Sequence, residues 1–140
     1  MSKNITILGG NGYIGNRCAR TLLKNYEYED IKITVISRNI PDKKIFDERV
    51  TYIKGDALKP EEFKEILQNS TGVIHSIGTL ISGNAENYHI INKETCIRPA
   101  KIISDLYKEG IIKEKINFVY ISAERGLPFP LSLKFAGYIQ

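Results

Sequence analysis

The sequence has 140 residues, enough for one domain over 1–140, and its 42% hydrophobic and 26% charged residues are typical of a globular protein. Basic residues outnumber acidic ones by 20 to 16, a net charge of +4, but they are scattered, which argues against nucleic-acid binding and leaves an anionic ligand or peripheral contact with an acidic membrane open. No apolar run approaches the about 20 residues that a membrane-spanning helix needs.

Short apolar segments of strand length alternate along the chain with segments of helical pattern. The predicted strands are Ile5–Leu8, Lys32–Ser37, Val50–Lys54, Gly72–Ser76 and Asn117–Ser122. They are rich in isoleucine and valine and nearly continuous in hydrophobicity, as strands of a parallel sheet are when helices cover both faces. The predicted helices are Tyr13–Tyr26, Pro60–Gln68 and Ala85–Glu109, the last kinked or divided at Pro99. This order predicts an α/β fold with a Rossmann-like, doubly wound parallel sheet of five strands.

The first and last residues of the sequence lead to two separate predictions. The first strand begins at Ile5, so we expect no cleaved signal segment before it. After the fifth strand, Leu133–Gln140 has the pattern of the first turns of a helix. Because so short a helix beside an edge strand is poorly stabilised, we expect a fold truncated after its fifth strand. The chain would then be a fragment, a split protein or a subunit completed by another chain.

Residues that commonly bind metals are few and dispersed. Cys18, Cys96, His75 and His89 lack the spacing of metal ligands. We therefore expect two reduced thiols and no metal site.

A glycine-rich loop connects the first predicted strand to the first helix, and its sequence is Gly9-Gly10-Asn11-Gly12-Tyr13-Ile14-Gly15. The first glycine permits a sharp turn out of the strand, Gly12 lets a pyrophosphate approach the backbone, and Gly15 lets the helix pack closely on the strand. The amides that begin the helix then face the phosphates, with the helix dipole behind them. We interpret the loop as a dinucleotide-binding motif; the alternative is a glycine-rich turn without a ligand.

The end of the second predicted strand indicates which dinucleotide binds. An acidic residue there would accept a hydrogen bond from a ribose 2′-hydroxyl, whereas this chain has Ser37 and Arg38. A guanidinium suits a phosphate, so we expect NADPH, with NADH as the alternative. The alternative interpretation is that Arg38 is only a solvated loop residue.

Two further strand ends contribute candidate cofactor contacts. Asp56 follows the third strand, where it either bonds to the adenine amino group, with Ala57 or Leu58 packed on the ring, or simply precedes the helix at Pro60. Ser76 and Gly78 follow the fourth strand, and the small Gly78 lets backbone approach the cofactor. We interpret His75, which directly precedes Ser76, as a packed polar residue rather than a catalytic one.

Three segments, residues 7–15, 72–78 and 118–123, resemble the atypical or extended short-chain dehydrogenase/reductase family, which includes NAD-dependent epimerases and dehydratases. Within it, the Gly-Gly-Asn-Gly loop, the His-Ser-Ile-Gly strand end and the Tyr-Ile-Ser-Ala-Glu-Arg-Gly segment are most similar to a mitochondrial coenzyme Q biosynthesis subunit of fungi. A more distant similarity is to the NADPH-binding accessory subunit of respiratory complex I. The resemblance covers essentially the whole chain but only about half of a typical member.

The resemblance implies which residues would be catalytic. Active members use a Ser or Thr, a Tyr, and a Lys four residues after the Tyr. Tyr138 matches the tyrosine, and the matching lysine would be the second residue after Gln140. Ala123 occupies the usual hydroxyl position, and Ser122 lies one step earlier, where a strand residue points to the opposite face.

Two functions follow from this pattern. The first is an NAD(P)H-binding, non-catalytic or weakly catalytic subunit of a mitochondrial complex, linked to coenzyme Q biosynthesis or complex I and bound to protein partners. The second is a truncated NADPH-dependent reductase or epimerase, for which a cytoplasmic location is open. A third interpretation is a Rossmann-like scaffold that binds no nucleotide.

Overall fold

Five parallel strands form the sheet in a computed structural model, which describes residues 2–26, 30–79 and 84–121. The strands are β1 (Lys3–Leu8), β2 (Ile31–Ser37), β3 (Val50–Lys54), β4 (Gly72–His75) and β5 (Asn117–Tyr120). Their order is β3-β2-β1-β4-β5, with every neighbouring pair parallel. The predicted Rossmann-like fold class is confirmed.

The helices cover the sheet on both faces, as the continuous hydrophobicity of the strands predicts. They are α1 (Tyr13–Asn25), α2 (Lys64–Gln68, preceded by the 3-10 turn Pro60–Phe63), α3 (Ala85–His89) and α4 (Thr95–Lys108). Ile7 and Leu8 are both 0% exposed, yet Ile7 belongs to the core cluster that contains Ala19 of α1, whereas Leu8 belongs to the cluster that contains Leu106 of α4. Adjacent strand residues therefore fill opposite layers. Within the described ranges no helix is long and apolar enough to cross a membrane.

The irregularity in the third predicted helix lies upstream of Pro99. Residues Ile90–Glu94 form a π-helical turn between α3 and α4, and α4 continues through Pro99, which is buried. A proline in a helix crowds the carbonyl four residues earlier, here that of Thr95. The wider turn ends immediately before Thr95, so the prediction of an interruption was right in kind and wrong in position.

The strand order locates the place where a ligand would bind. The chain leaves β1 for β2 and β3 on one side and returns to β4 and β5 on the other. The loops after β1 and β4 therefore border a crevice at the carboxyl edge of the sheet, where open α/β sheets bind their ligands.

Candidate functional site

A cleft of about 230 Å³ opens at this carboxyl edge, between the loops that follow β1, β2, β3 and β4. It is lined by Leu8, Gly9, Asn11, Gly12, Ile36, Ser37, Arg38, Gly55, Asp56, Ala57, Leu58, Ser76, Ile77, Gly78, Ile91 and Thr95. Arg38 and Asp56 are the charged members of this lining, and most of the others present backbone or aliphatic groups. The cleft therefore combines an apolar floor with a few polar groups, as cofactor sites do.

Gly9 makes the turn out of β1 in the way that the motif predicts. Its φ is 80°, a left-handed conformation that favours glycine. A Cβ on Gly9 would lie 2.7 Å from Cγ1 of Ile77. The Gly9 amide donates to the Ile36 carbonyl at 2.9 Å, so the loop begins as an extension of the sheet.

Gly12 and Gly15 have different surroundings. Within the described part of the chain, a Cβ on Gly12 would approach only the Gly9 carbonyl oxygen, at 3.3 Å. A Cβ on Gly15 would instead lie 2.5 Å from the Gly10 Cα and 2.7 Å from Ser76 Oγ. Gly15 thus brings α1 against the loop and the β4 exit. Gly12 borders open space in the cleft and precedes a helix whose N-terminus has no side-chain cap.

Four of the loop residues predicted to contact the cofactor do not line the cleft. Gly10 and Gly15 are buried behind the loop, while Tyr13 and Ile14 are exposed. The ring of Tyr13 lies beneath the Arg17 guanidinium, 4.8 Å from centroid to Cζ. These four residues shape the loop, and Gly9, Asn11 and Gly12 form its cleft surface.

At the end of β2 the cleft is lined by Ser37 and Arg38, the two residues predicted to contact the cofactor there. Arg38 is exposed, while Ser37 is buried, with 7% of its surface accessible. The Ser37 hydroxyl donates to the Asn39 carbonyl at 2.9 Å, and the Asn11 side-chain amide donates to the same oxygen at 3.0 Å. The Ser37 hydroxyl proton and one amide proton of Asn11 are thus already engaged within the protein.

In the loop after β3, Asp56 stabilises a turn and also lines the cleft. Its Oδ1 accepts from the Leu58 amide at 2.9 Å, which stabilises the turn that leads to Pro60. Ala57 is buried beside it, and the Leu58 carbonyl accepts from Arg98 Nη1 at 2.9 Å, which ties the loop to α4. A turn-stabilising role does not remove Asp56 from the cleft lining.

The loop after β4 is held at both ends by side-chain hydrogen bonds. At its start, the Ser76 hydroxyl donates to the Leu8 carbonyl at 2.9 Å. Further along, it is held by Asn92, a residue that the sequence did not single out. Asn92, in the π-helical turn, accepts from the Thr79 amide at 3.0 Å and donates to the Thr79 carbonyl at 3.1 Å. A Cβ on Gly78 would lie 3.0 Å from Asn92 Oδ1. Asn92 contacts this loop from a π-helical turn, and the hydrophobic periodicity of the sequence does not predict such a turn.

His75 agrees with its interpretation as a packed polar residue. It is 0% exposed, and its Nε2 lies 2.9 Å from Oγ1 of Thr95. The Thr95 hydroxyl proton goes to the Ile91 carbonyl at 2.6 Å, so Nε2 of His75 is the donor and Nδ1 carries the lone pair. That Nδ1 has no hydrogen-bond partner among the residues described. Burial lowers the pKa of His75 below its ordinary value of 6.5.

We expect His75 to make stability depend on pH below its ordinary pKa of 6.5. There the unfolded chain binds a proton that the folded chain does not, so the free energy of unfolding falls with falling pH, by at most about 1.4 kcal/mol per pH unit. Urea unfolding of His75→Gln should show a smaller loss between about pH 7.5 and pH 5.5. The exposed His89 supplies the control, because His89→Gln should keep the full slope. Equal slopes in the two variants would contradict the assignment.

The predicted catalytic residues Ser122 and Tyr138, and Ala123 beside Ser122, lie outside the described residues. Their roles stay predictions.

Residues 6–123 match the 3-beta hydroxysteroid dehydrogenase/isomerase family. The chain belongs to this family. Solved structures of short-chain dehydrogenases have the same fold, which confirms the resemblance to that broader group. One, from Leptospira borgpetersenii with bound NAD+, is 20% identical with a TM-score of 0.66, over 84% of this chain and 51% of that one. Another, a wide-type enzyme from Veillonella parvula in complex with NADP, is 29% identical with a TM-score of 0.53, over 84% and 47%.

A relative in Saccharomyces cerevisiae is MIOREX complex component 2. It is 27% identical to this member of the 3-beta hydroxysteroid dehydrogenase/isomerase family, over 91% of this chain and 61% of the yeast protein. D-erythronate dehydrogenase of Haemophilus influenzae is 26% identical, over 85% of this chain and 37% of that enzyme. The chain thus spans less than two thirds of the length of these relatives.

Proposed function

We propose that the chain binds NADPH in the cleft at the carboxyl edge of the sheet, as a non-catalytic or weakly catalytic subunit of a mitochondrial protein complex. The observation that carries the proposal is the surroundings of Gly12. Among the residues that the structure describes, Gly12 faces open space, at the start of a helix without a side-chain cap. A methyl group there would fill the space through which a pyrophosphate reaches the amides of α1, so the absence of a side chain fits a phosphate ligand.

The rest of the cleft fits an adenosine half. Ala57 and Leu58 offer apolar contact for a base, and Asp56 lies beside them. Arg38, at the end of β2, offers a guanidinium to a 2′-phosphate, and no carboxylate among the cleft-lining residues follows β2. This arrangement favours NADPH over NADH. The solved relatives include one NADP complex and one NAD+ complex, so nicotinamide dinucleotides are the ligand class that both have in common.

The proposal of a subunit role has two supports. The yeast relative is by its name a component of a complex. Separately, the sequence motifs resemble those of mitochondrial subunits linked to coenzyme Q biosynthesis or respiratory complex I. By the family resemblance, Ala123 is predicted to lie where active members carry a hydroxyl, which favours binding over turnover. We therefore propose protein partners and a mitochondrial location, with coenzyme Q biosynthesis or complex I as the process served.

An NADPH-dependent reductase or epimerase is the second candidate. Membership of a dehydrogenase/isomerase family and similarity to D-erythronate dehydrogenase favour it, as does Tyr138. The two candidates differ in turnover. Steady oxidation of NADPH with a carbonyl substrate supports a reductase, and interconversion of epimers without net change in the cofactor supports an epimerase. Binding without either kind of turnover supports the subunit.

Charge reversal at Arg38 tests the proposed ligand. By titration calorimetry we expect Arg38→Glu to weaken NADPH binding by about tenfold to a hundredfold, because a charge-assisted hydrogen bond to the 2′-phosphate is lost. NADH binding should be unchanged or stronger, because the new carboxylate can accept a hydrogen bond from the ribose 2′-hydroxyl. Lys32→Glu is the matched control, since Lys32 is an exposed cation near the other end of β2. Its NADPH affinity should stay close to that of the unmodified chain. Failure of the unmodified chain to bind either dinucleotide would leave the scaffold interpretation standing.

A further inference from the structure

One backbone oxygen joins the glycine loop to the end of β2. The Asn39 carbonyl accepts from the Ser37 hydroxyl at 2.9 Å and from Nδ2 of Asn11 at 3.0 Å. Asn11 and Asn39 are 28 positions apart in sequence, so this contact crosses from one strand end to the next. We name this group of three residues, Asn11, Ser37 and Asn39, the Asn39 latch.

The latch surrounds Arg38 in the chain. Ser37 and Asn39 are its two neighbours, and the hydrogen bond between them closes the backbone around Arg38. Asn11 then fastens this closed segment to the glycine loop, which itself pairs with β2 through the Gly9 amide and the Ile36 carbonyl at 2.9 Å. The backbone that carries the Arg38 guanidinium is thereby held relative to the loop proposed to bind the pyrophosphate.

The latch also limits what Ser37 can do. A hydroxyl has one proton, and that of Ser37 goes to the Asn39 carbonyl. A phosphate near neutral pH accepts hydrogen bonds from donors, so Ser37 offers it no donor while the latch is closed. At this strand end, Arg38 is therefore the residue that can donate to a 2′-phosphate. Its side chain is long, so a fixed backbone lowers the entropy that is lost when the guanidinium is ordered on binding.

We propose that Asn11 and Ser37 are positioning residues that set the preference for NADPH over NADH by holding Arg38, without themselves donating to the 2′-phosphate. This inference rests on the proposed NADPH binding. It predicts an effect on the ratio of the two affinities, because NADH lacks the phosphate that Arg38 meets. A general disturbance of the cleft would instead weaken both ligands alike.

The test compares dissociation constants for NADPH and NADH in Asn11→Ala and Ser37→Ala, each made with Arg38 present and in an Arg38→Ala background. With Arg38 present, we expect each substitution to lower the NADPH preference by about fivefold. In the Arg38→Ala background the same substitutions should leave the ratio unchanged. Asn69→Ala is the matched control, since it removes a side-chain hydrogen bond of 2.9 Å to the Glu65 carbonyl, away from the cleft-lining residues, and should not change the ratio.

Three results would overturn the inference. Equal weakening of NADPH and NADH would make Asn11 and Ser37 general structural residues. A lowered ratio that persists without Arg38 would mean that they contact the phosphate directly. An unmodified chain that binds neither ligand, or prefers NADH, would refute the proposed cofactor itself, and this outcome is recognisable before any variant is measured.

Discussion

Gly12→Ala should abolish much of the stabilisation that NADPH confers and lower the stability of the unliganded fold by no more than about 1 kcal/mol. The Gly12 φ of −74° is open to any residue, and of the atoms in residues 2–26, 30–79 and 84–121 the added Cβ would meet only the Gly9 carbonyl oxygen, at 3.3 Å. A change from glycine to alanine before a helix costs up to about 1 kcal/mol. The same methyl group occupies the approach to the α1 amides, so we expect the dissociation constant for NADPH to rise by about tenfold or more.

Unfolding in urea with and without the nucleotide measures this effect. NADPH at about 100 times its dissociation constant should add about 2.7 kcal/mol to the unfolding free energy of the unmodified chain. At the same concentration, Gly12→Ala should gain about 1.4 kcal/mol or less. Gly110→Ala is the control: its φ of 71° makes alanine strained there, so it should lower stability without changing affinity. Full stabilisation of Gly12→Ala by NADPH would refute the proposed path of the pyrophosphate.

Gly15→Ala should destabilise the fold itself, by about 1–3 kcal/mol. Helix propensity alone favours the opposite sign, since alanine gains about 1 kcal/mol over glycine inside a helix. Packing outweighs propensity here because the new Cβ would lie 2.5 Å from the Gly10 Cα and 2.6 Å from the Gly9 carbonyl oxygen. Both are backbone atoms, and neither can turn aside as the end of a side chain can.

The midpoint of urea unfolding measures this change. Asn16→Ala, at the next position of α1, is the control, because it removes a hydrogen bond from Arg20 at 2.9 Å and should change stability by less than about 1 kcal/mol. A Gly15→Ala variant as stable as the unmodified chain would show that α1 can move away from the loop. Together, the Gly12 and Gly15 variants separate the binding role of the motif from its packing role.

The glycine motif could be predicted from the sequence because each of its requirements is local. The left-handed turn at Gly9 and the helix start after Gly12 depend on neighbouring residues. The element bounds agree closely for the same reason: β3 is Val50–Lys54 as predicted, and α1 ends one residue before the predicted limit. The packing neighbours of these glycines needed the tertiary structure, because Gly9 lies against Ile77 and Gly15 against Ser76, both in the segment after β4.

The polar interactions of the cleft could not be predicted in the same way. The contact of Asn11 with Asn39, and that of His75 with Thr95, each join residues 20 or more positions apart. The second depends on a π-helical turn at Ile90–Glu94 that no hydrophobic period indicates. Ser37 and Asn11 were predicted to bind the cofactor, and the structure shows that both donate to the Asn39 carbonyl.

The sequence by itself determined the α/β fold, the family and the position of the glycine motif, because alternating apolar segments and glycine spacing are local properties of the chain. The tertiary structure alone decided which polar groups of that motif are engaged within the protein and which face the cleft. Hydrogen bonds between loops depend on the order of the strands and the path of each connection. Arg38 thus remains facing the cleft, while its neighbours Ser37 and Asn39 hold its backbone.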